Sequence, residues 1–210
     1  MARMEVVLDV YKRPYDENNP LLCMDETPKQ LIGEMKTPIK QRPGSPAKYD
    51  YEYKRNGVCN IFMASEPLMG KRYVSVTETK KKPDWAVFMK SIAEQYPNAD
   101  KITLVMDNYG THNIGAFYDV YAPEEAKALV DRFEFIYTPK HGSWLNMAEI
   151  ELNVMQKQCI GRRISNVETL ANEIGHWVAI RNDKKCSINW QFTTSDSRIK
   201  LKRLYPTIET

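Results

Sequence analysis

An α/β domain, a mixed sheet flanked by helices, is what this sequence of 210 residues predicts. Three observations point there. Two compact apolar runs, Leu21-Leu22-Cys23-Met24 and Ile102-Thr103-Leu104-Val105-Met106, have strand length and run into acidic pairs, Asp25-Glu26 and Asp107-Asn108. Between them, short β-type segments punctuated by turn residues suggest antiparallel strands. Beyond residue 83, strand-length runs alternate with segments at helical spacing, the order that lays parallel strands beneath helices.

Each element has its own reason. Met4, Val7, Leu8 and Tyr11 recur at helical spacing and stop before Pro14, predicting a short helix. A polar turn, Tyr15 to Pro20, leads into the first apolar strand. Thr37 to Lys48 is rich in Pro, Lys and Gln and predicts a surface loop. Tyr49, Tyr51 and Tyr53 alternate with Asp50, Glu52 and Lys54, the period of a half-exposed strand. Arg55-Asn56-Gly57 then predicts a hairpin turn, because Asn-Gly tolerates positive φ. Val58 to Ala64 and Arg72 to Thr77 are two further strands around a Pro-Leu-Met-Gly turn.

Pro83 opens a helix with Trp85, Phe88, Ile92 and Tyr96 on one stripe. After the Ile102 strand come one or two helices, about 114–121 and 123–130, and the strand Phe133 to Tyr137. A helix follows the Gly142-Ser143 turn, with Leu145, Ala148, Leu152, Met155 and Cys159 facing the core. Ser165-x-x-Glu168 reads as a capping box for a last long helix through Leu170, Ile174, Trp177 and Arg181.

Composition narrows the function. Four scattered cysteines without a C-x-x-C pair argue against a disulfide framework or a zinc site, and a cytoplasmic setting is expected. No apolar run approaches the ~20 residues of a membrane span. The net charge of +3 conceals a pattern: residues 29–82 carry +7 and 184–205 carry +5, around a middle segment of −5. Basic zones of this kind suit a polyanionic partner.

The chemistry rests on carboxylates. Asp25 and Asp107 hold equivalent positions after two strands that the fold sets side by side, at the sheet edge where α/β proteins place their sites. Close carboxylates need a positive charge between them, and oxygen donors suit Mg²⁺ or Mn²⁺. A third acid would come from the helix after Ser143. Glu149 and Glu151 stand about 200° apart around that helix, and periodicity does not choose between them.

Three blocks carry a resemblance: Met24-Asp25-Glu26, Val105-Met106-Asp107-Asn108-x-x-x-His112, and Thr138-Pro139-x-x-x-Ser143-Trp144-Leu145-Asn146-x-x-Glu149. In this order they resemble the acidic blocks of the DDE transposases of the mariner superfamily, in its bacterial insertion-sequence branch. The likeness covers about residues 20–205. It implies a ribonuclease-H-like fold, a triad of Asp25, Asp107 and Glu149 with Glu151 turned elsewhere, and two Mg²⁺ (or Mn²⁺) ions per site. It also implies DNA strand cleavage and strand transfer on double-stranded DNA, transposon ends and a TA-containing target, by a homodimer. The interval from Asp107 to Glu149, 42 positions, is longer than is usual in that superfamily.

Further candidates for DNA contact are His112, Lys140, His141, Trp144, and Arg198, Lys200, Lys202 and Arg203 of the basic tail. The expected organisation is a linker helix and turn over 1–20, a catalytic domain over 21–183 and a basic tail over 184–210. The helix-turn-helix region that precedes such domains in related transposases is expected to be absent. The rival readings are another ribonuclease-H-like nuclease or resolvase, and an inactive DNA-binding or dimerisation module.

Overall fold

The computed structural model describes residues 1–108, 110 and 112–205. Its centre is a five-stranded sheet: β1 (Leu21–Glu34), β2 (Tyr53–Glu66), β3 (Lys71–Thr77), β4 (Ile102–Met106) and β5 (Phe133–Tyr137). Their spatial order is β3-β2-β1-β4-β5. The first three pair antiparallel, and β4 and β5 join parallel to β1. The mixed sheet expected from the sequence is therefore present, with the two apolar runs as adjacent central strands.

Among the described residues, seven α-helices accompany it: α1 (Ala2–Tyr11), α2 (Lys82–Gln95), α3 (Gly115–Tyr118), α4 (Pro123–Arg132), α5 (Ala148–Met155), α6 (Val167–Asp183) and α7 (Thr194–Lys200). The period-two alternation of a strand divides the core. Leu22, Met24, Phe62, Ala64, Leu104 and Met106 face one side, where Trp85, Phe88, Met89 and Ile92 of α2 pack with Phe117 of α3 and Leu129 of α4. Their neighbours face the other side. There Cys23 and Val105 meet α1 and the start of α5. Ile61 and Met63 meet Leu152 and Met155 of α5 and Leu170, Ile174 and Trp177 of α6. Ile188, Trp190, Phe192 and Tyr205 pack around the α1 cluster, so α1 and the segment 188–205 share this face.

Three local expectations change. β1 does not stop at Met24 but runs through Asp25 to Glu34, because β2 continues to pair with it after β4 has ended. Pro28 falls in this one-sided stretch, where a missing N–H is tolerated. Arg55-Asn56-Gly57 is not a hairpin turn. The pairing shifts from Gln30↔Val58 to Ile32↔Arg55, so Asn56-Gly57 is absorbed as a bulge inside β2. The positive φ of Gly57 (106°) serves that bulge, and Tyr49 and Tyr51 lie outside the strand. Finally, α6 is capped by Asn166, whose side chain accepts from the Thr169 amide, one residue later than the Ser165 box.

Gly70 closes the β2–β3 turn at φ +66°, and a Cβ there would lie 2.5 Å from the Lys185 carbonyl carbon. Both the dihedral and the backbone contact oppose any side chain. Gly70→Ala is expected to cost more than about 1 kcal/mol, read as a lower denaturant midpoint at unchanged slope.

Candidate active site

Strand register brings the two aspartates together. Cys23 pairs with Val105 across β1 and β4, and continuing that register by two residues sets Asp25 beside Asp107. Asp25 is still within β1, with the end of β4 beside it, so its carboxyl stands where the parallel sheet opens. Asn146 fixes this corner. Its buried side-chain amide donates to the Met24 carbonyl (2.8 Å) and to Asp25 Oδ2 (3.4 Å), and its Oδ1 accepts from the Ala148 amide (3.1 Å). One residue thereby ties β1 to the first turn of α5, which carries Glu149. Tyr11 adds a second tie, donating from its hydroxyl to the Leu145 carbonyl at 2.6 Å.

The electrostatics follow from this crowding. Burial, joined by the charges of Glu26, Asp107 and Glu149, pushes the Asp25 carboxyl up to about 7, against a hydrogen bond from the Glu26 amide. Among the described residues, no cationic side chain pairs with Asp25. Asp107 is held differently. His112 Nδ1 lies 2.7 Å from Asp107 Oδ1, and His112 Nε2 lies 3.0 Å from Glu26 Oε2. Burial works against a charged imidazole, but the two carboxylates outweigh it and raise His112 to about 9, so the ring is cationic at neutral pH. The ring stacks on the buried Trp85 at 6.0 Å. His112 is only 1% exposed as a side chain. In this structure it holds one oxygen of Asp107.

The two glutamates of α5 separate cleanly. Glu151 is buried at 1% exposure, and its oxygens accept from Arg72 (2.7 and 2.8 Å) and Arg181 (2.9 and 3.2 Å). Both its oxygens are committed to structure, which removes it as a ligand. Glu149, two residues earlier, is half-exposed, and its charge contributes to raising Asp25. The long Asp107–Glu149 interval is occupied by α3, α4, β5 and the turn before α5.

The remaining candidates are dispersed. Lys140 and His141 line an open groove of about 400 Å³ with Asp107, Asn108, Ser143 and Arg3. Trp144 is exposed beside it. Arg198 is paired with Glu5 (2.8 and 3.0 Å), Lys200 lies over the Phe192 ring, and Lys202 and Arg203 are exposed on the following turn. Sequence reasoning assigned no role to Glu26, Asn146 or Arg3. Glu26 and Asn146 stand inside the quoted blocks, and that was the available signal; Arg3 had none, since only folding carries α1 to the groove.

The donors at the corner fit a hard divalent ion in type: they are carboxylate oxygens, and among the described residues that of Asp25 has no cationic partner and is raised by burial and then by its acidic neighbours. Among the described residues, no three His, Cys, Asp or Glu side chains are already gathered into a metal-holding cluster. No helix among them is long and apolar enough to cross a membrane.

The fold has counterparts among known proteins. No curated protein matches the chain. The solved paired-end complex of the Mos1 mariner with Mn superposes with a TM-score of 0.58 at 15% identity, covering 88% of this chain and 55% of that one. The Mos1 transposase paired-end complex with left transposon end gives 0.59 at 14% identity, with coverages of 88% and 55%. The Mos1 strand transfer complex gives 0.57 at 15%, with 88% and 54%. At such identities the likeness shows a shared ribonuclease-H-like fold, and the chain spans about 55% of the length of the first of these proteins. The model of the DDE superfamily endonuclease family matches residues 20–171, most of the chain, and this chain belongs to that family.

Proposed function

We propose that this chain is the catalytic domain of a transposase, cleaving DNA strands and joining the freed end to target DNA, with Asp25, Asp107 and Glu149 as its acidic triad. The observation that carries the reading is the placement of Asp25 beside Asp107 on adjacent central strands, with the charge of Glu149 bearing on Asp25. The solved relatives are Mos1 complexes that include paired transposon ends and a strand-transfer state.

The triad would hold two Mg²⁺ or Mn²⁺ ions, which when bound supply Lewis-acid stabilisation at both the attacking and leaving oxygens of a phosphodiester. The chain's own groups prepare that corner. Asn146 orients Asp25 from one side. His112 engages Oδ1 of Asp107 and fixes the carboxylate's orientation. Glu26 stays out of the donor set because His112 and Lys80 (3.3 Å) occupy it. Lys140 and His141 line the groove that leads away from Asp107 and suit a DNA backbone. Double-stranded DNA is the substrate, transposon ends and a TA-containing target among it, and joining two ends calls for a homodimer. The setting is the bacterial cytoplasm, at the nucleoid.

Supercoiled plasmid incubated with the purified chain is expected to be nicked in Mg²⁺ or Mn²⁺ and to stay intact after EDTA. Strand transfer of a pre-cleaved end into duplex DNA should exceed cleavage of an RNA–DNA hybrid. Metal-independent nicking, or hybrid cleavage alone, contradicts the proposal.

A further inference from the structure

We infer that the groove beside Asp107 holds an unpaired nucleotide of the bound DNA strand, its phosphate near Arg3, Lys140 and His141 and its base stacked on Trp144. This rests on the function proposed above and adds a second recognition site to it.

Trp144 carries the argument. It is 47% exposed, whereas Trp85 and Trp177 are buried. Its indole offers solvent a broad aromatic face of the kind that stacks on other rings. Its surroundings are tied by several contacts. Trp144 sits in the short turn Ser143–Leu145, between Ser143, which lines the groove, and the fully buried Leu145. Leu145 is held by the Tyr11 hydroxyl, and Asn146 is docked on β1. The indole meets Phe192 edge-on, with centroids 5.8 Å apart and an angle of 69°. Phe192 is itself fixed: its carbonyl accepts from Trp190 Nε1 at 2.7 Å, and the Lys200 ammonium lies 5.6 Å from its ring centroid.

An exposed aromatic on a fixed support is ready to stack without losing much rotamer freedom. Cations lining an adjacent groove complete the combination used for single strands: charge along the backbone and an aromatic face for the base. A base inside a duplex is already covered on both faces, so the fitting ligand is an unpaired nucleotide. Arg3 reaches this groove from α1, which gives the N-terminal helix a part in binding as well as in packing.

Binding of a fluorescein-labelled oligothymidylate in EDTA, followed by anisotropy, tests this separately from metal-dependent cleavage. Trp144→Ala is expected to weaken binding about tenfold or more, and Trp144→Phe to restore most of it. An oligonucleotide of abasic residues should bind wild type and Trp144→Ala alike. Arg3→Ala should lower the slope of log affinity against log salt by about 0.7. Oligothymidylate affinity unchanged in Trp144→Ala overturns the inference, as does an equal loss on the abasic strand or on duplex DNA. Circular dichroism of each variant excludes unfolding as the cause. Failure of plasmid nicking with this base-dependent binding intact would count against the catalytic assignment alone.

Discussion

Asp107→Ala is expected to reduce metal-dependent plasmid nicking by about 10³-fold or more while leaving the fold intact. The size follows from what the carboxylate does in the proposed site. A correctly placed metal contributes several kcal/mol of charge stabilisation in the transition state, and about 4 kcal/mol corresponds to about 10³ in rate. Asp107 is part-exposed just beyond β4, so its removal leaves no cavity in the core. It does release His112 from one of its two carboxylates. Asp107→Asn keeps an oxygen near the imidazole and should be equally inactive, which separates loss of a ligand from displacement of His112. Nicking rates for the two variants, measured beside their thermal melts, check this. Activity within tenfold of wild type in either one removes Asp107 from the site.

The second large effect is on stability. Glu151→Ala is expected to cost about 3–5 kcal/mol, because it strands the buried guanidinium of Arg72 and leaves that of Arg181 without its carboxylate. For a chain of this size that lowers the melting temperature by roughly 6–20 °C. Glu149→Ala, at a half-exposed position two residues away, should melt close to wild type. The pH dependence has a definite sign. Burial alone would raise the Glu151 carboxyl, but hydrogen bonds and charge from Arg72 and Arg181 outweigh it and hold it below the usual glutamate range. A lowered value in the folded state means the contribution is complete above the ordinary glutamate value of about 4.3 and is lost as pH falls through the lowered one. The melting difference between wild type and Glu151→Gln should therefore be steady from about pH 6 to 8 and shrink in acid below about pH 4. Melting curves across that range check it.

These two glutamates also mark how far the sequence is legible. Periodicity placed both beside the core stripe of α5 and went no further, since the partner that decides between them, Arg72, lies on a strand far away in the chain. The central strands were legible because Leu21 to Met24, and Ile102 to Met106 apart from Thr103, are apolar, as strands buried on both faces tend to be. α2 was legible from its stripe and its Pro83. The length of β1 was not, because Asp25, Thr27, Pro28 and Lys29 look like the end of a strand, and only pairing with β2 carries them on. Asn56-Gly57 has the chemistry of a tight turn, and the same positive φ serves a bulge when the neighbouring strand supplies the register. α7 was hidden in a basic segment whose local signal, the Thr193–Asp196 capping pair, is short. In the candidate site, the adjacency of Asp25 and Asp107 was legible from their equivalent positions in β1 and just beyond β4. The engagement of His112 by Glu26 and Asp107 was not, because it needs the two strand ends and the following loop in one place.

Everything proposed for catalysis depends on the aspartate corner holding divalent metal. Titration of Mn²⁺ into the purified chain with duplex DNA present, counted by electron paramagnetic resonance, measures this directly. The account predicts two bound ions per chain, with binding lost in Asp25→Asn and in Asp107→Asn and retained in Glu134→Gln, a carboxylate paired with Arg13 elsewhere on the sheet. Mn²⁺ binding that is absent in the wild type, or that survives unchanged in both aspartate variants, would contradict it.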